Sequence, residues 1–161
     1  MLAERPYLDP ERVGSWGWSG GGQMTLNAMF RYPDIYRMGI AGAVVSDQKL
    51  YDTIYQERYM GLPQENVDGY TQGSPITHAA GLTGNLLLIH GTADDNVHYQ
   101  STEQLVDRLI ELNKTFSLMI YPDRSHSFDE KTNTMRHLYN LMTDFLYEHL
   151  PLQATSRGDA R

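Results

Sequence analysis

The stretch Val13-Gly14-Ser15-Trp16-Gly17-Trp18-Ser19-Gly20-Gly21-Gly22 limits what the rest of this chain can become. It reads as a strand running into a turn that has small residues two places before and two places after a serine. Helical apolar spacing follows through Gln23 to Phe30, with Met24 and Ala28 on one row and Leu26, Met29 and Phe30 on another. A serine lifted onto so tight a strand-to-helix turn has strained backbone, and bulky neighbours at positions 17 and 21 would collide. The hydroxyl of Ser19 would then project from the turn. The free amides and positive end of the following helix would lie beside it, a setting that favours an oxyanion, with the Gly20 N–H as one donor. A glycine-rich turn before an ordinary helix has the same local pattern. The rest of the chain has to decide between the two.

In chain order, residues 1–11 contain two prolines and no clear period, so they form a lead-in with a turn at Asp9-Pro10. The first strand is expected from Arg12 to Trp18, and the helix after the turn stops at Tyr32-Pro33-Asp34. Met38 to Val45 is apolar without alternation, the pattern of a parallel strand covered on both faces. Lys49 to Tyr59 is expected to be one helix, with Tyr51, Tyr55 and Tyr59 at four-residue spacing as its packing face. Gly61 to Gly84 reads as loop with one short helix near Thr77 to Gly81. A third strand, Asn85 to His90, runs into the polar loop Gly91 to His98. Ser101 to Leu112 is an amphipathic helix in which Ser101 and Gln104 have capping-box spacing. A fourth strand, Thr115 to Tyr121, leads through Pro122 to Phe128 into a helix from about Glu130 to Leu150, ended by Pro151. Residues 151–161 are expected to be a disordered tail.

Strands that alternate with helices imply an α/β domain over residues 12–150, with a mostly parallel sheet flanked by helices. In such a sheet the loops carrying Ser19, Asp94 or Asp95, and His126 emerge at the same edge, where ligands gather. The chain order serine, aspartate, histidine is that of α/β-hydrolases. The chemistry this allows is acyl transfer: His126 takes the Ser19 proton while a carboxylate orients the imidazole. By position Asp94 and Asp95 are equally placed to be that carboxylate.

Several other classes are disfavoured. A formal charge of −7 without clustered Lys and Arg speaks against nucleic acid as a partner. No apolar run has the length of a membrane span. With no cysteine there is neither disulfide nor thiolate chemistry. His90, Asp94, Asp95 and His98 have metal-binding side chains, but no second histidine pair completes a site, so no metal or other cofactor is expected.

The runs Gly17-Trp18-Ser19, Tyr51 to Tyr55, Glu57 to Pro63 and His90 to His98 resemble the catalytic domain of dipeptidyl peptidase IV and its prolyl oligopeptidase relatives, over about residues 12–150. That resemblance implies the C-terminal half of an α/β-hydrolase fold and a serine peptidase that releases N-terminal dipeptides after a penultimate proline or alanine. Acylaminoacyl or prolyl endopeptidase activity is the nearest alternative, and a non-catalytic interaction module is the alternative of another class. It implies the triad Ser19, Asp94 and His126, choosing Asp94 over Asp95. It also implies that Tyr51, Tyr55, Val45 and Val97 wall a proline-sized pocket and that Asn96 holds the substrate's carbonyl. Partners are then peptide substrates and, in the full-length enzyme, a second copy of the chain.

Gly20 stands where relatives carry an aromatic residue, Gln48 where the animal enzyme has a pocket tryptophan, and Met38 where it has a disulfide cysteine. The last departure implies a bacterial protein, periplasmic or cytoplasmic, over an animal cell-surface enzyme. The resemblance also implies an upstream β-propeller and the first half of the sheet, which this chain does not contain.

Overall fold

A computed structural model describes residues 4–128 and 131–151. Four parallel strands form one sheet in sequential order: β1 (Gly14–Trp18), β2 (Met38–Gly42), β3 (Asn85–Gly91) and β4 (Ser117–Tyr121). Among the described residues five α-helices accompany them: α1 (Gly20–Arg31), α2 (Thr53–Met60), α3 (Val67–Gly73), α4 (Gln100–Glu111) and α5 (Thr134–His149). Because every pairing is parallel, the carboxyl ends of all four strands lie at one edge of the sheet.

The apolar runs in β2 and β3 have no polar face because both of their faces are covered. Ala41, Leu86 and Leu88 pack with Leu26, Met29 and Phe30 of α1, Leu105 and Leu109 of α4, and a 3-10 helix at Pro75–Gly81. On the other face Met38, Ile40, Leu87 and Ile89 pack with Leu138, Phe145 and Leu150. Each fully buried leucine or isoleucine side chain contributes about 1.5–3 kcal/mol, so β3, with four in succession buried, anchors both layers.

β1 lies at the end of the strand order. Within it, Trp16 is 65% exposed. With Ile40, Met142, Leu146 and Leu150 it lines an apolar groove of about 390 Å³.

The observed elements differ from the expected ones at particular residues. β1 begins at Gly14 and not Arg12, and β4 at Ser117 and not Thr115. β2 ends at Gly42 instead of continuing to Val45, because Ala43 turns out of the strand with φ 45°. The single helix expected over Lys49 to Tyr59 is two pieces. A 3-10 turn, Gln48–Leu50, gives way to extended backbone at Tyr51 and Asp52, and the Asp52 carboxylate then caps α2 by accepting the Tyr55 amide at 3.0 Å. The tyrosines are not a packing face: Tyr55 and Tyr59 are 53% and 68% exposed.

The expected loop at Gly61 to Gly84 contains α3, capped by Asn66 through the Gly69 amide, and the 3-10 helix encloses the short helix placed at Thr77 to Gly81. The capping box at Ser101 does not form. α4 starts one residue earlier with Tyr99 at the N-cap, and the buried Ser101 hydroxyl instead accepts the Ser46 amide at 2.8 Å. Met24 and Ile110 face outward. α5 starts at Thr134; the expected start at Glu130 and the tail from residue 152 lie outside the described residues.

Candidate active site

Ser19 sits between β1 and α1 with φ 58° and ψ −122°, a backbone conformation that costs a non-glycine residue on the order of 1–3 kcal/mol. Packing enforces it. The Ser19 amide donates to Gly42 O at 2.9 Å, tying the turn to β2. A Cβ on Gly17 would lie 2.2 Å from Gly21 O, which is backbone and cannot swing aside, so the turn closes only with a glycine at position 17. At Gly20 a Cβ would meet nothing within 4 Å, so the turn does not require glycine there for lack of space. Gly20 opens α1, and the amides of a helix's first turn have no partner within the helix. The Ser19 side chain makes no cap bond to that helix.

The acid loop follows β3. Asp94 is 4% exposed and its carboxylate is surrounded by donors. Oδ1 accepts the amides of Asn96 at 3.0 Å and Val97 at 2.9 Å, and Oδ2 accepts His126 Nδ1 at 2.8 Å. Nε2 of His90 lies 3.2 Å from the same Oδ2. Burial pushes the Asp94 carboxyl upward, but the hydrogen bonds from His126, His90 and the Val97 amide outweigh it and hold the group well below the usual carboxylate range. Asp95 is exposed. The choice that residue types left open is therefore met by geometry: Asp94 is the carboxylate bonded to His126.

His126 is partly exposed in the loop between β4 and α5. Its backbone carbonyl accepts the Trp18 indole N–H at 2.9 Å, so the residue before the serine fastens the histidine loop to the serine turn. The Trp18 ring stands edge-on to Phe128 and lies so close over Gly42 that a Cβ there would fall 2.0 Å from it. Among the described residues no hydrogen bond joins the Ser19 hydroxyl to His126; the structure brings the imidazole to the acid and the serine turn to the histidine loop. A buried carboxylate on Nδ1 leaves Nε2 as the proton acceptor, as general-base activation of a hydroxyl requires.

Next to the acid loop, the Tyr51 hydroxyl donates to Asn96 Oδ1 at 2.9 Å. Tyr51, Tyr55 and Tyr59 stack edge to face, with centroids 5.4 and 5.1 Å apart. Tyr51, Asp52, Asn96 and His98 border a hollow of about 680 Å³. Burial, and then the neighbouring charge of Asp52, raises the Tyr51 phenol, which therefore remains a neutral donor. Val45 and Val97 are both buried and offer little or no surface to this hollow in the present arrangement. Val97 acts through its backbone, whose amide binds Asp94 and whose carbonyl faces His90. Gln48 is also buried, and its side chain accepts from Gln56 and donates to Gly73 O. Among the described residues no group of three His, Cys, Asp or Glu side chains is placed to hold a metal ion.

Three contributors escaped sequence reasoning: Trp18, Thr102 and the engagement of His90 with Asp94. A histidine ending the run Leu86 to Ile89 is itself a signal, because a polar side chain on a strand buried on both faces needs partners.

The sequence model of the prolyl oligopeptidase family matches residues 1–153. "Probable dipeptidyl-aminopeptidase B" of Uncinocarpus reesii is 43% identical over 147 residues, which cover 89% of this chain and 16% of that protein. Dipeptidyl peptidase 4 of Bos taurus is 38% identical over 149 residues, covering 91% and 19%. The crystal structure of Porphyromonas gingivalis dipeptidyl peptidase 4 superimposes with a TM-score of 0.87 at 43% identity, over 90% of this chain and 20% of that one. The chain thus spans about a fifth or less of the length of these relatives, and its sheet is part of their α/β-hydrolase fold. A family match over nearly its whole length, at a site built from a strained serine turn, a buried acid and a histidine loop, places this chain in the prolyl oligopeptidase family.

Proposed function

We propose that this chain is the catalytic C-terminal part of a longer serine peptidase that cleaves after a penultimate proline or alanine and releases N-terminal dipeptides. Ser19 attacks the scissile carbonyl, His126 takes its proton and later gives it to the leaving amine, and Asp94 holds the imidazole in the correct tautomer. The Gly20 amide stabilises the oxyanion; removing one such donor costs about 10²- to 10³-fold. Tyr51 and Tyr55 supply flat aromatic surface for a proline ring, and Asn96, already bonded to Tyr51, holds the adjacent peptide carbonyl. Homodimerisation of the full-length enzyme belongs to the same proposal.

The observation that carries this reading is the buried carboxylate of Asp94 bonded to His126 Nδ1 at 2.8 Å, at the sheet edge where Ser19 is held at positive φ. The test is Ser19→Ala in the full-length enzyme, meaning this chain joined to its upstream sequence, assayed with glycyl-prolyl p-nitroanilide. Loss of turnover by several orders of magnitude is expected. Appreciable turnover by a purified Ser19→Ala protein, with contaminating peptidase excluded, would overturn the assignment of Ser19 as the nucleophile.

A further inference from the structure

His90 is 0% exposed, and each of its ring nitrogens has an assigned neighbour. Nε2 lies 2.8 Å from the Val97 carbonyl oxygen and 3.2 Å from Asp94 Oδ2. Both neighbours are acceptors, so Nε2 carries a hydrogen. In a neutral ring with its hydrogen on Nε2, Nδ1 is an acceptor and takes a hydrogen from a donor. The Thr102 hydroxyl, 2.6 Å away near the start of α4, supplies that hydrogen. The direction of the chain is thus set: Thr102 O–H to His90 Nδ1, and His90 Nε2–H shared between Val97 O and Asp94 Oδ2.

The two oxygens of Asp94 are held in different ways. Oδ1 is fixed by two backbone amides of its own loop, whereas Oδ2 receives two imidazoles, His126 from one side and His90 from the other. With Oδ1 pinned, the freedom left to the carboxylate is a swing of Oδ2 about the Oδ1–Cγ axis, and the His90 donor opposes that swing. The Tyr99 ring stands edge-on to His90 with centroids 5.6 Å apart, which restrains the imidazole in turn.

We infer that His90 is a positioning residue of the peptidase site, one that acts through Asp94 by holding Oδ2 in line with His126 Nδ1, with its own ring anchored at Nδ1 by Thr102 and its tautomer set by the Val97 carbonyl. This inference rests on the peptidase reading above. It adds a second histidine, this one fully buried, and a threonine of α4 to the machinery, and it explains why an ionisable ring follows the apolar run of a central strand.

The test is made in the full-length enzyme with glycyl-prolyl p-nitroanilide, counting active sites with a fluorophosphonate probe so that turnover is expressed per competent serine. His90→Leu removes both ring nitrogens, and its kcat per titrated site should fall about 10- to 100-fold, the kinetic equivalent of one hydrogen bond to a charged group. KM should stay within about twofold, since substrate contacts are untouched. His90→Gln places an amide N–H near the former Nε2 and should restore kcat to within about threefold. Where His90→Leu does not fold, the same contrast is read at the residue that anchors its ring: Thr102→Val lowers kcat and Thr102→Ser, which keeps the hydroxyl, does not.

A loss that appears only as fewer titrated sites, or equal losses in the Leu and Gln variants, would make His90 a packing residue and overturn the inference while leaving the peptidase reading intact. A wild-type enzyme that neither reacts with the probe nor turns over would overturn both.

Discussion

Asp94→Asn tests the site where its geometry is most demanding. The carboxylate accepts from four donors, two backbone amides on Oδ1 and two imidazoles at Oδ2. A carboxamide has one acceptor oxygen and one donor NH2, so either orientation sets its NH2 against two groups that also donate. With the oxygen kept on the amides of Asn96 and Val97, the NH2 faces both histidines. His90 has no escape, because the Val97 carbonyl holds the hydrogen on its Nε2. His126 does have one: it moves its hydrogen to Nε2 and accepts from the new NH2 through Nδ1. That tautomer presents a hydrogen to the serine where a lone pair is needed, and the negative charge that stabilised the imidazolium has gone. Wrong-tautomer substitutions of this kind lower kcat by about 10⁴, or about 5.5 kcal/mol of transition-state stabilisation. Asp95, one residue on, is exposed, and Asp95→Asn should leave kcat within about threefold. Both variants are to be assayed in the full-length enzyme with glycyl-prolyl p-nitroanilide after circular dichroism confirms folding. Equal small effects, or a larger loss in Asp95→Asn, would refute the assignment of the acid.

Tyr51→Ala and Tyr55→Ala should each reduce kcat/KM for a prolyl substrate relative to an alanyl one by about 1–3 kcal/mol, and an unchanged ratio would remove those rings from the pocket. Gly17→Ala should abolish reaction with a fluorophosphonate probe and lower the melting temperature, because the new methyl group meets the Gly21 backbone; a variant with wild-type labelling would show that the turn can open. Residues 1–161 expressed alone should self-associate and show little or no peptidase activity, because β1 ends the sheet beside an apolar groove. A monomer by light scattering with turnover near that of an intact family member would contradict this.

What could be read from the sequence is local or periodic. The glycine-flanked Ser19 signals its turn because the collision at Gly17 depends only on residues within one turn of chain. β3 is legible because a strand covered on both faces is built on an unbroken apolar run, here Leu86 to Ile89. The break at Tyr51-Asp52 is hidden because four-residue tyrosine spacing imitates a helix, while the deciding group, the Asp52 cap, is a common surface residue. The spacing of Ser101 to Gln104 fits a capping box, but the actual partner of Ser101, Ser46, is 55 residues away and invisible to any local rule. Asp94 and Asp95 cannot be ranked by residue type, because what separates them is burial and the approach of His126 across 32 residues.

The indole bond from Trp18 to the His126 carbonyl joins groups 108 residues apart, and this bears on the order of events during folding. β1, α1 and β2 need contacts only within about the first forty residues, whereas the histidine loop reaches its place after β3 and β4 have added to the sheet. The entropy of closing so long a stretch of chain is repaid only once those strands have docked. In a refolding experiment, recovery of helical circular dichroism and recovery of a serine that reacts with a fluorophosphonate should accordingly separate in time, with reactivity the later signal.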